Sequence, residues 1–437
     1  MTPRRRFLNV VGSILYAEFI FALFLYSNHI KFIFHSYLDI PGDETAIFFL
    51  GSLLPVLWIL YRRGIPVQGL AVFVAGAVFF AYVLLTQLWS PSRTLARRET
   101  FLLLTGGLWS LLVGALLLAA ERERVLRFLK GTALIGAGVA VYGWILRLRY
   151  GDFFLASTWR EMGFGSLYQL LGQMTALGGV TSLAFAVFAA PGSRRQFFWL
   201  LAATLSLALS LASGSRLSAV GAIVGVFVLA LCLPVRIGRG RFQLSTGHLV
   251  LMGGFFLLFL ALIYAETVGI SLKSIDRFQK YLAESESNEG LLQRFDRPNY
   301  LSIAWNLWIS APLLGVGFMG FSPMGFMSEI PGTHPHNVFA QILAETGLVG
   351  ATLFLMFLYC SYRHFSWKRL HTDPLFGMVI AASAIPWSIA LFSGSLGTLW
   401  QLYAFVPLAT LPPPEGTPRV TSATGGIRAR ERLRVVH

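Results

Sequence analysis

Two histidines stand two residues apart in HPHN, residues 334 to 337, immediately before a long apolar run. An imidazole titrates near neutral pH, and arginines nearby favour its neutral form, so it can take a proton from a hydroxyl. An H-x-H pair can also ligate a metal, but no carboxylate or cysteine cluster stands near it to complete such a site. Arg297 opens RPNYLSIAWNLWISAP, where Pro298 suits a first helical turn and Pro312 ends the helix. That places a guanidinium fork beside free backbone N–H groups at the positive end of a helix, a combination that favours a phosphate over a solvated loop arginine. Arg216 lies in SGSRLS between two apolar runs, so the turn at Gly214 and Ser215 holds it at a membrane boundary. There it either snorkels or meets a headgroup above the helices.

The segment GVGFMG, residues 315 to 320, satisfies the G-x-G-x-x-G pattern of dinucleotide-binding domains. Its context rejects that reading, because no strand precedes it and no parallel sheet surrounds it. The glycines suit a tight turn beside membrane or substrate instead. Neither a nucleotide nor a nucleic acid is an expected partner.

The elements that must position these residues are membrane spans. Of 437 residues 55% are hydrophobic and 13% charged, with mean hydropathy +0.66, whereas a soluble domain carries roughly 25% charged residues. The apolar runs are near twenty residues long, enough to cross a hydrocarbon layer of about 30 Å at 1.5 Å per residue. They predict an all-α polytopic membrane protein of about twelve transmembrane helices, near 8–27, 46–61, 69–88, 100–120, 131–148, 165–190, 197–212, 216–234, 247–266, 338–360, 374–393 and 398–411. The expected organisation is therefore spans 1 to 9 over residues 1–266, a helical outer loop over 267–337, spans 10 to 12 over 338–411, and a disordered basic tail over 412–437. With the N-terminus inside, 22 of the 35 Lys and Arg residues fall inside and 13 outside, so both termini are expected to be cytoplasmic. The first span lacks a following small-residue cleavage site and is read as retained. Cys232 and Cys360 fall within spans, so no disulfide framework is expected.

Thirteen outer basic residues exceed what the positive-inside tendency requires, and most cluster in 89–99, 147–160 and 267–297. Arg93, Arg97, Arg98, Arg147 and Arg149 either snorkel at the outer headgroups or serve an anionic ligand. Within the long loop Leu272, Ile275, Phe278 and Leu282 repeat at helical spacing opposite Lys273, Arg277 and Lys280, which suits a helix lying on the membrane surface. Leu301, Ala304, Trp305 and Trp308 form an apolar face on the second predicted helix. Glu18, Gln169 and Gln173 are polar groups inside spans, read as interhelical hydrogen-bonding groups.

Taken together, the string R…PLLGVG…HN…ETGLVG, here Arg297, Pro312 to Gly317, His336, Asn337 and Glu345 to Gly350, resembles the signature of the O-antigen ligase and polymerase superfamily. The GSRLS turn, the span count and the loop before the tenth span are similar too. The resemblance implies a GT-C-like glycosyltransferase of the Gram-negative inner membrane, with its site facing the periplasm. Its implied donor is an undecaprenyl pyrophosphate-linked glycan and its implied acceptor the lipid A-core, with no metal or other cofactor. On these positions the family's essential histidine falls on His336, its loop arginine on Arg297 or Arg294, and its span-end arginine on Arg216. Arg160 is a further pyrophosphate-binding candidate, although the family often has Asn in the following span where this chain has Gln169. His334 lies outside the pattern. An O-antigen polymerase, a protein O-oligosaccharyltransferase and, from another class, a lipid-linked sugar flippase are the alternative readings.

Overall fold

The structure, a computed structural model, describes residues 16–27, 30, 43–150, 167–213, 215–233, 236–238, 241–243, 245–267, 300–330 and 332–414. Helices α1 (Ala17–Leu25), α2 (Glu44–Arg63), α3 (Val67–Leu85), α4 (Arg93–Leu118), α5 (Arg122–Tyr150) and α6 (Leu167–Phe188) come first. Then follow α7 (Arg194–Ala212), α8 (Arg216–Leu231), a two-stranded ribbon of β1 (Arg236–Gly238) and β2 (Arg241–Gln243), and α9 (Thr246–Thr267). The remainder is α10 (Tyr300–Ser310), α11 (Phe321–Phe326), α12 (Val338–Tyr362), α13 (Trp367–Thr372), α14 (Pro374–Phe392) and α15 (Trp400–Phe405), which continues as a 3₁₀ helix over Val406–Thr410. The protein is an all-α polytopic membrane protein. Among the described residues eight helices, α2 to α7, α12 and α14, are long and apolar enough to cross a bilayer.

The remaining expected spans have different fates. Helices α8 and α9 stand where the eighth and ninth were expected, and of the first only Ala17–Leu25 is described as helix. The twelfth differs. One and a half turns of α-helix plus a 3₁₀ segment extend about 19 Å, too short to cross the hydrocarbon layer. From Trp400 to Thr410 every residue is buried, so this segment fills the bundle instead of facing lipid.

Helix α6 is the bundle's axis, 89% buried along its apolar stretch and packed against α5, α7, α8, α9 and α14. Lipid tails are as apolar as leucine, so packing and hydrogen bonds hold such helices together, and small residues at the crossings let backbones approach. Gly136 on α5 and Gly178 on α6 meet so closely that a Cβ on either would lie 2.5 Å from the other's Cα.

Polar side chains tie the two ends of the bundle. At one end Arg63 pairs with Glu121, and Arg122 grips Asp373 with both nitrogens, at 2.7 and 2.5 Å. There too Arg369 donates to the Leu411 carbonyl. Burial alone would raise the Asp373 carboxyl, but the hydrogen bond and charge of Arg122, the Phe376 N–H and Arg369 hold it below the usual range. Glu18, read as an interhelical hydrogen-bonding group, is buried and ion-paired with Arg124 at 2.7 Å and Arg127 at 3.1 Å. At the opposite end Ser90 donates to the Phe318 carbonyl at 2.6 Å, Trp89 to the Gly315 carbonyl at 3.2 Å, and Ser395 to Glu99 at 3.1 Å. Successive connections thus alternate between ends, as repeated crossing demands.

Candidate active site

The site is built at the second end, where α12 begins. Asn337 caps the helix, its side-chain oxygen accepting from the N–H groups of Phe339 and Ala340 at 3.0 Å, while its Nδ2 donates to the Leu391 carbonyl at 3.2 Å. The preceding residue, His336, holds φ at +57°. That left-handed conformation costs a non-glycine residue roughly 1–2 kcal/mol, so the turn into α12 carries strain at the proposed base. The His336 ring lies 5.5 Å from that of Tyr300 and 4.3 Å from that of His334, centroid to centroid.

His334 is held differently. Its Nδ1 lies 2.9 Å from the Gly332 carbonyl and its Nε2 2.8 Å from the Ser393 carbonyl. With both nitrogens engaged by backbone, this ring anchors the loop to the end of α14 and is a poor base. The difference between the two histidines was invisible in their spacing.

Beneath the histidines, the two glycine-containing strings of the sequence meet. Helix α12 is broken at Gly347 (φ 64°, ψ −164°), which frees backbone groups that lipid cannot satisfy. The segment Pro312–Gly317 satisfies them. The N–H groups of Leu348 and Val349 donate to the Pro312 and Leu313 carbonyls at 2.9 and 3.2 Å, and those of Val316 and Gly317 donate to the Ala344 and Glu345 carbonyls at 2.9 Å. Contact is so close that a Cβ on Gly315 would fall 2.4 Å from the Glu345 carbonyl carbon, and one on Gly347 2.3 Å from the Leu313 oxygen. Gly315 of GVGFMG therefore serves backbone docking against α12, whereas Gly317 lies against the backbone of Ser90 and Gly320 against Val316.

A buried polar chain continues from the break. Glu345 accepts from Gln341 Nε2 at 3.0 Å and from the Phe321 N–H at 3.4 Å, and Gln341 Oε1 accepts from the Leu396 N–H at 3.1 Å. Sequence reading used Glu345 only as part of a string; a carboxylate and an amide four apart within an apolar run were the signal that it belongs to a packed network.

Helix α10 lies where the second loop helix was predicted, but the expected apolar face is split between the inside and the outside of the helix. Ala304 and Leu307 are buried against α12, whereas Leu301 and Trp305 are more than half exposed. Near a membrane the larger apolar side chains gain by facing lipid, and the Trp305–Trp308 pair, 4.7 Å apart, suits an aromatic belt.

Arg216 is the first residue of α8, after the N-cap Ser215. Gly225 abuts the Ala381 carbonyl, and Gly221 abuts Ile385 and Ser388, so α8 runs antiparallel to α14. Continued at that register, the start of α8 stands level with Leu391–Ser393, the carbonyls that hold Asn337 and His334. Arg160, Arg294, Arg297 and the helix expected over 272–282 lie outside the described residues. Of the outer arginines for which snorkelling was one reading, Arg93, Arg97 and Arg98 are exposed. Arg147 is instead 4% exposed, with its guanidinium over the Trp144 ring. Gln173 is buried where Gly172 packs against the Ser213–Ser218 turn.

No curated protein matches the chain. Residues 200–355 match the family described as O-antigen ligase, a stretch that runs from within α7 past the break in α12. It takes in the turn at Arg216, the histidines and both docked glycine segments, and over this stretch the chain is similar to the O-antigen ligase superfamily.

Proposed function

We propose that this multi-pass protein is an O-antigen ligase of the Gram-negative inner membrane. It transfers O-antigen polysaccharide from undecaprenyl pyrophosphate to a sugar hydroxyl of lipid A-core. The carrying observation is the family match over residues 200–355, within which Arg216, Arg294, Arg297 and His336 all fall. The periplasmic loop over 267–337 and the end of the bundle where α12 begins hold the site, both termini are cytoplasmic, and residues 412–437 form a basic tail.

In this mechanism His336 takes the proton as the acceptor oxygen attacks the anomeric carbon. The bond from that carbon to the pyrophosphate breaks, and the electron pair leaves on undecaprenyl pyrophosphate. Arg216 with Arg297 or Arg294, and Arg160 beside them, neutralise the leaving group's charge, work that fixed guanidinium groups perform well where water is scarce. Attack opposite the leaving group inverts the anomeric centre. No metal or other cofactor enters this mechanism.

Substitution His336→Ala is expected to abolish transfer in purified protein supplied with donor and acceptor lipids, while the variant still enters the membrane. Normal capping of lipopolysaccharide by that variant would remove His336 as the base. A deletion strain separates ligase from polymerase: bare core with polymer left on the carrier is expected here, whereas core bearing one repeat marks a polymerase. Transfer to a protein acceptor would mark an O-oligosaccharyltransferase. A flippase reading would draw on the break in α12, since transporters use broken helices as substrate sites. Here the chain's own Pro312–Gly317 segment fills that break.

A further inference from the structure

At the end of the bundle opposite His336, a cleft of about 620 Å³ opens among α5, α6, α7 and α14. Three cations line it: Lys130 from α5, and Arg194 and Arg195 from the first turn of α7. All three are exposed, and among the described residues none has a carboxylate partner. Five other cations at this end, Arg63, Arg122, Arg124, Arg127 and Arg369, are paired with acids, whereas Arg363 and Lys368, outside the cleft, share the lack of a carboxylate partner among the described residues but do not line this cavity with its aromatic wall.

The cleft is also held in shape. Gln196, buried, accepts from the Gly192 N–H at 2.8 Å and donates to the Ala186 carbonyl at 3.2 Å, which fixes the α6–α7 turn and the arginines following it. One wall is aromatic: Trp199 stacks on Phe185 at 4.9 Å and meets Phe198 edge-on at 5.0 Å. Unpaired cations above an apolar wall at the end of membrane helices match one ligand chemistry, a phosphodiester headgroup with acyl chains attached. A free anion uses the cations but gains nothing from the aromatic wall.

We propose that this cleft is a binding site for one anionic phospholipid of the leaflet opposite the transfer site, its phosphate held by Lys130, Arg194 and Arg195 and its acyl chain lying against Phe198 and Trp199. The site is separate from the proposed transfer chemistry and does not depend on it.

The test uses the full-length protein, delipidated in mild detergent, with native mass spectrometry against phosphatidylglycerol and phosphatidylcholine. Wild type is expected to retain one phosphatidylglycerol in preference to phosphatidylcholine, and millimolar inorganic phosphate is not expected to displace it. The variant K130Q/R194Q/R195Q is expected to bind phosphatidylglycerol on the order of 100-fold more weakly. The pair R363Q/K368Q, exposed cations at the same end outside the cleft, is expected to keep wild-type binding. Equal binding by the triple variant, equal loss in the control pair, or displacement by inorganic phosphate overturns the proposal. A second measurement needs no loss of charge: phosphatidylglycerol brominated on its acyl chain is expected to quench a component of tryptophan emission that is missing in Trp199→Phe. Identical quenching in the two proteins also overturns it.

Discussion

His334 and His336 share a ring type and a turn, yet the fold holds them differently. Both nitrogens of His334 sit at hydrogen-bonding distance from backbone carbonyls, at 2.9 and 2.8 Å, and the contact with Ser393 joins the loop to the end of α14. His336 instead occupies a left-handed turn between Tyr300 and the capping Asn337. Replacing His334 by Ala removes the ring from between two carbonyls and leaves the one that accepts its N–H without a donor, at roughly 1–3 kcal/mol if that group stays buried. The expected outcome is a lower melting temperature in detergent with transfer reduced but measurable. His336→Ala is expected to show the reverse, near-normal melting with no transfer. Exogenous imidazole added to both variants is a further check: partial recovery is expected for the His336 variant alone, and recovery of the His334 variant instead would exchange the two roles.

At the scale of elements, the break in α12 governs the site's geometry. A helix interrupted at Gly347 exposes backbone groups to a medium with no water to satisfy them, and the Pro312–Gly317 segment supplies the missing partners. That docking carries the chain from α10 to the loop before His336, so the strings PLLGVG and ETGLVG act as one unit though about thirty residues separate them. Gly347→Ala forces a methyl group against the Leu313 oxygen at an unfavourable φ, and a loss of about 2–4 kcal/mol is expected. Gly253→Ala, in α9 with open space around it, is the contrast and is expected to raise stability slightly. Thermal unfolding of both in the same detergent checks the pair; equal melting temperatures would show that the docked segment does not restrain the helix.

Across the whole molecule, a charged latch at one end holds α5, α13, α14 and the segment after α15 together, opposite the site. Its centre is Asp373, which caps α14 through the Phe376 N–H at 3.2 Å and receives Arg122 and Arg369. Its carboxyl titrates below the ordinary value, so the latch contributes stability that is fully present above about pH 4 and is lost as pH falls through the lower folded-state value. Wild type is accordingly expected to show no melting transition shift from this group between pH 7 and pH 5, and a decline below about pH 4. Asp373→Asn is expected to melt lower than wild type at pH 7 and to lose less on acidification. Parallel acid dependence in the two proteins would mean that other carboxylates dominate.

Composition and run length alone determined that this is a polytopic helical membrane protein, because burying so much apolar surface in helices near twenty residues long has one common solution, a bilayer. The prolines and glycines around residues 298 to 317 likewise marked a loop helix and its end, since those residues act through local backbone geometry. Tertiary structure alone decided what depends on neighbours distant in sequence: that the last apolar run is buried within the bundle, that α10 turns Leu301 and Trp305 outward, and that Arg147 is buried. It alone decided that Gly315 and Gly347 answer each other across a helix break. His334 and His336 read alike in sequence because a side chain's pattern names its chemistry but not its partners; the carbonyls of Gly332 and Ser393, brought together by the fold, set them apart.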